Sequence, residues 1–219
     1  MKIIDITGPI YTGMWVYEEV YPPIEIVSVT SSRPGKKVTY QELFNGMGAQ
    51  TGTYLETPAH FFKDAIKLND VPIEKLFMVP AVVINLKNKA GPPRQPITAE
   101  ELGAADVEIR EGDGILVGTG WGKKGREPDY LTGGPYFTYD AMKYLISKKP
   151  FLLGADMPRW DNLESPQGFW PEFYEAGILM LAPVVNLEKI AKPRVQLVVM
   201  PIKVENTCAA PCRALIIEA

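Results

Sequence analysis

Two hundred and nineteen residues amount to about one and a half typical domains of ~150, which favours one domain over residues 1–219 rather than two. With 46% hydrophobic and 22% charged residues the composition is that of a globular chain able to bury a core without staples. The single histidine, His60, excludes any site that needs two imidazoles from one chain. A net charge of −3, with basic residues clustered no further than Lys36-Lys37 and Lys148-Lys149, argues against nucleic acid as a partner.

In chain order, short β-branched runs closed by Gly, Pro or Asn predict strands at residues 3–6, 24–29, 81–86, 115–117, 151–153, 178–181, 195–199 and 214–217. Several runs are apolar on both faces, which suits strands covered on both sides in a layered α/β or mixed sheet. Three helices are predicted. The first follows the N-cap Thr98 over residues 99–102, with acids in its first turn; the second follows Thr138 over 139–147; the third covers 171–176 and ends at Gly177. The last two run straight into apolar strands. Twenty prolines and 19 glycines, scattered rather than clustered, predict long ordered loops, with residues 88–96 the one linker-like segment.

No charged-then-apolar leader precedes the strand-like start, and the two cysteines, Cys208 and Cys212, offer no disulfide scaffold, so a cytoplasmic protein is expected. The Cys-x-x-x-Cys pair, without a second pair, reads as ordinary buried thiols. The longest apolar runs, such as 178–185, reach about half the ~20 residues of a membrane helix, so no span is expected.

Chemistry concentrates in Gln50-Thr51-Gly52-Thr53-Tyr54-Leu55-Glu56-Thr57-Pro58-Ala59-His60. If residues 50–56 are extended, Gln50, Gly52, Tyr54 and Glu56 share one face, Gly52 leaves space before it, and Pro58 starts a turn that swings His60 back toward it. An imidazole beside a carboxylate can act as general acid or base, so His60 and Glu56 are the candidate catalytic pair, with Gln50 and Tyr54 as donors to a substrate oxygen. Trp15, Trp121, Trp160 and Trp170, in an aromatic set with Tyr17 and Phe169, are candidates to line a pocket for a flat ring.

This segment resembles the His-x-Gly-Thr-His-x-Asp-x-Pro-x-His signature of the cyclase family, which includes bacterial kynurenine formamidases and isatin hydrolases. Gly52, Thr53, Pro58 and His60 match it outright, and landmarks such as Ile4-Asp5-Ile6-Thr7, Gly112-Asp113, Thr119-Gly120-Trp121, Gly154-Ala155-Asp156 and Pro211-Cys212-Arg213-Ala214 fall in the same order. The resemblance implies an α/β fold with a mixed, partly barrel-like sheet and flanking helices, of the swivelling β/β/α type, in homodimers or homotetramers. It implies hydrolysis of an amide bond in a small cyclic or aryl-substituted substrate.

The family binds zinc or manganese through the first two histidines and the aspartate of the signature, positions held here by Gln50, Tyr54 and Glu56. A further family histidine falls near Trp170 or Pro171 and a glutamate at Ala182. The retained oxygens, Glu56 with Gln50 and Asp156, suit weakly held manganese or magnesium, or no metal. A metal-independent lyase or isomerase, or a ligand-binding protein on the same scaffold, are the alternatives to the hydrolase.

Overall fold

A computed structural model describes residues 1–32, 35, 39–86 and 89–218; Lys36, Lys37 and Asn88 of the segments singled out above lie outside them. In chain order the elements are β1 (Lys2–Asp5), β2 (Glu25–Ser31), β3 (Thr39–Asn45), β4 (Tyr54–Glu56), β5 (Val79–Asn85), β6 (Pro96–Ile97), α1 (Ala99–Gly103), β7 (Gly114–Gly118), β8 (Tyr136–Phe137), α2 (Tyr139–Ser147), β9 (Leu152–Ala155), α3 (Trp170–Glu175), β10 (Leu179–Ala182), β11 (Arg194–Pro201) and β12 (Ala209–Glu218).

Seven strands close on themselves in the order β12-β11-β5-β7-β9-β10-β4, the ring completed by pairing of β4 with the start of β12, while β1 adds to the outside of β12. The stretch β5-β7-β9-β10 is parallel and the remaining contacts are antiparallel, which makes the mixed, barrel-like α/β sheet that the family resemblance implied. One cluster packs Leu55, Ala81, Val83, Leu116, Leu181 and Leu197 on one face. The opposite face packs Tyr54, Val82, Ile84, Ile115, Val117 and Met180 against the helices. The period of two therefore sends Leu55 into one core and both Tyr54 and Glu56 toward α3.

Helix α1 begins with a reciprocal capping box between Thr98 and Glu101, Thr138 caps α2, and α3 ends before Gly177 at φ +74°. Three expectations need correction. The run at 24–29 does not join the main sheet; β2 pairs only with β3 in a projecting two-stranded ribbon that the sequence reading missed, because β3 carries Gln41, Glu42 and Asn45 and lacks a β-branched run. The short parallel pair β6–β8 was likewise not expected. Residues 50–56 are not one strand either. Only Tyr54–Glu56 is, and Gln50–Thr53 form a turn in which Gly52 takes φ +64°. A Cβ at that glycine would also stand 2.9 Å from Ile10 Cγ1, so Gly52 serves the turn rather than opening space before the site.

Candidate active site

Strand β4 fixes the site from below. Its register places Tyr54 opposite Ala182 and Glu56 opposite Met180 on β10, and opposite Pro211 and Ala209 on β12, so both side chains emerge from the middle of paired backbone. The Thr57 amide and hydroxyl both donate to Cys208 O, at 2.8 and 3.1 Å, which carries the pairing one residue further. Pro58 then opens a single 3-10 turn, Pro58–His60, that returns the imidazole over the strand it has just left.

Glu56 is 1% exposed, yet both of its oxygens are engaged. The Tyr174 hydroxyl donates to Oε1, Gln50 Nε2 donates to Oε2 at 2.6 Å, and His60 Nδ1 lies 3.5 Å from the same Oε2. Burial pushes the Glu56 carboxyl above its ordinary range, while His60, Tyr174 and Gln50 pull it back by favouring the charged form. Tyr17 donates to Pro158 O at 3.0 Å, so its oxygen is left to accept from Tyr54 at 3.1 Å. Burial and the nearby carboxylate hold the Tyr54 and Tyr174 phenols well above their usual pKa, which keeps them neutral donors.

These groups wall a cavity of about 400 Å³ with Glu18, Arg159, Asp161 and an aromatic ladder. In the ladder Trp160 stacks on Trp170 at 6.0 Å, Trp170 on Tyr174 at 5.8 Å and Tyr174 on Phe61 at 5.8 Å, each within 20° of parallel. The structure thus gathers His60, Glu56, Gln50, Tyr54, Trp160 and Trp170 around one space. Trp15 lies next door, edge-on to Tyr17 at 5.3 Å.

Two expected residues are elsewhere. Trp121 is fully buried, its Nε1 donating to Tyr130 O at 2.9 Å, and belongs to the core rather than to a substrate wall. Asp156 does not line the cavity; its carboxylate accepts from the Thr119 amide and hydroxyl and the Gly120 amide, at 2.9, 2.7 and 2.7 Å, and braces the loop after β7 instead of offering an oxygen to a metal. Tyr174 was missed. It stands one helical turn after Trp170, and that i, i+4 aromatic pair was the available signal.

The side chains do not fit a divalent metal. Gln50 turns a donor, not its carbonyl oxygen, toward Glu56, the Tyr54 oxygen is tied to Tyr17, and both Glu56 oxygens already accept hydrogen bonds. Among the described residues no three of His, Cys, Asp and Glu come together in a group that could hold a metal.

A family model described as "Cyclase: Putative cyclase" matches residues 4–162. A kynurenine formamidase of Bacillus thuringiensis (strain Al Hakam) is 26% identical over 175 residues, covering 78% of this chain and 77% of that one. An isatin hydrolase of Roseibium aggregatum is 26% identical over 189 residues, covering 77% and 72%. Among solved structures, an isatin hydrolase bound to the product analogue thioisatinate superposes with a TM-score of 0.81 at 24% identity, over 98% of this chain and 91% of that one. A protein described as a potential metal-dependent hydrolase with cyclase activity superposes at 0.73 and 22% identity, over 98% and 96%. These two superpositions establish the fold.

Proposed function

The chain belongs to the cyclase family, and from that premise we propose that it is a hydrolase of a carbon–nitrogen amide bond in a small cyclic or aryl-substituted molecule. The observation that carries the reading is the approach of His60 Nδ1 to Glu56 Oε2, 3.5 Å, on the wall of a ring-lined cavity. A proton on Nδ1 faces the carboxylate and leaves Nε2 with a free lone pair. Nε2 takes a proton from water as the water oxygen bonds to the amide carbon. It returns that proton to the nitrogen as the carbon–nitrogen bond breaks, giving a carboxylic acid and an amine. Tyr54 spends its hydroxyl on Tyr17, so the second N–H of Gln50 is the donor for the developing oxyanion.

This route works with the side chains present, and it predicts resistance to chelation. Protein dialysed against EDTA should keep its turnover of aryl formamides and cyclic aryl amides, followed by release of the arylamine chromophore, and added zinc or manganese should not raise it. Activity lost to the chelator and restored by metal would overturn the metal-free route. No turnover of any such amide would overturn the hydrolase reading itself.

We further propose a cytoplasmic homodimer, its two thiols free, joined through the β2–β3 ribbon. An isolated two-stranded ribbon is marginal in water. Tyr40 and Phe44, on one face of β3, are 75% and 60% exposed, and Leu43 on the other face is 48% exposed. Light scattering should give twice the chain mass, and Phe44→Asp should shift it toward the monomer; a wild-type monomer at micromolar concentration would contradict the proposal. Among the described residues no helix is long and apolar enough to cross a membrane.

A further inference from the structure

A second cavity of about 390 Å³ adjoins the first, and Tyr17, Tyr21, Gln50 and His60 line both. The two lobes therefore meet at the imidazole, and each is large enough for a small-molecule group, whose pockets run from roughly 300 Å³ upward. Their chemistry differs. The first lobe carries Glu18, Glu56, Arg159 and Asp161 beside its ring ladder. The second is walled by Trp15, Val16, Pro22, Met47, Ala49 and Cys208 among others, and among the described residues of its wall His60 is the only side chain that can bear a positive charge and none is Asp or Glu. An ion placed there would lose its hydration without a partner, whereas an apolar chain would gain from leaving water.

We propose that this second lobe is the acyl-chain subsite of the enzyme, so that the substrate is an N-acyl arylamine whose arylamine, with any ionised substituent, lies against the ring ladder and whose uncharged acyl chain of several carbons lies beyond His60. The proposal rests on the amide-hydrolase reading and adds the substrate class. A one-carbon acyl group would leave the second lobe without a ligand. The scissile bond falls at the junction, where Gln50 and His60 border both arms. Cys208 Sγ, 3.9 Å from His60 Nδ1, marks the entrance of the chain into the lobe.

Two measurements on the full chain test this. The first is kcat/KM for a series of anilides from formyl to hexanoyl. It should rise about fourfold per methylene at ~0.8 kcal/mol each until the lobe is filled, and Ala49→Trp, an exposed position on the lobe wall, should flatten that rise. The second needs no turnover. The rate of N-ethylmaleimide alkylation at Cys208, read by peptide mass with the buried Cys212 as internal reference, should fall severalfold with hexananilide present and not with formanilide. A formyl preference with no protection of Cys208 would overturn the subsite and leave the hydrolase reading intact. Protection by hexananilide without hydrolysis of any anilide would uphold the subsite as a binding site and overturn the hydrolase reading. Cys208 shielded in the protein alone, in a manner that deepens with protein concentration, would mean that a second copy fills the lobe, and would overturn the proposal.

Discussion

His60→Ala should lose about 10²–10⁴-fold in kcat, or roughly 3–5 kcal/mol of transition-state stabilisation, with KM little changed. His60 is half-exposed in the cavity wall and supports no core packing, so the variant should fold as the wild type does and the loss should be chemical. Undiminished turnover in this variant would transfer the proton chemistry to another group. Glu56→Gln separates charge from shape. The buried Glu56 carboxyl has its pKa raised in the folded protein, chiefly by desolvation. A raised folded-state value means that stability is greatest below the ordinary carboxylate pKa of about 4.3 and is lost as pH rises through the higher folded-state value. Glu56→Gln removes that loss, so urea unfolding at pH 4 and pH 7 should show the variant gaining on the wild type at the higher pH. Protonation of Glu56, which begins above the usual carboxylate range, should also lower wild-type activity, because only ionised Glu56 holds the Nδ1 proton. A variant that loses stability relative to the wild type between pH 4 and pH 7 would contradict this account.

Asp156→Ala should destabilise the fold by about 3–5 kcal/mol. The side chain is 3% exposed and accepts from three donors of the loop after β7, two amides and a hydroxyl, each of which costs about 1–3 kcal/mol if left buried without a partner. Those bonds hold the backbone between β7 and Trp121, where Gly120 takes φ +84°, and so seat the Trp121 ring in the helix-side core. Asp156→Asn keeps the volume but turns an amide N–H₂ toward N–H donors, and should recover only part of the loss. Urea unfolding measures both. Because the carboxylate stands away from the cavity, the folded fraction should keep its kcat. The opposite pattern, stability kept and activity lost, would restore Asp156 to the reacting groups.

The local sequence determined much of the scaffold. The apolar runs of β7, β9 and β10 are strands buried on both faces, and Thr98, Thr138 and Gly177 delimit helices because capping and left-handed backbone are decided within a few residues. It also singled out the pair at positions 56 and 60, since an extended Glu56 followed by a Pro58 turn returns His60 with only local geometry. Tertiary structure decided the rest. Tyr174 reaches Glu56 across 118 positions of sequence and Cys208 reaches His60 across 148, and such contacts exist only once β4 is laid between β10 and β12. Asp156 and Trp121 carry functional side-chain types, but burial commits Asp156 to bracing the loop after β7 and Trp121 to the core. Gln50 reached the site through a left-handed turn at Gly52 rather than along a strand face, and which end of its amide faces Glu56 depended on the hydrogen-bond partners that packing supplies. Spacing along a chain encodes the contacts made within a turn or a strand; the polar partners of a buried group are fixed by which distant backbone is packed against it.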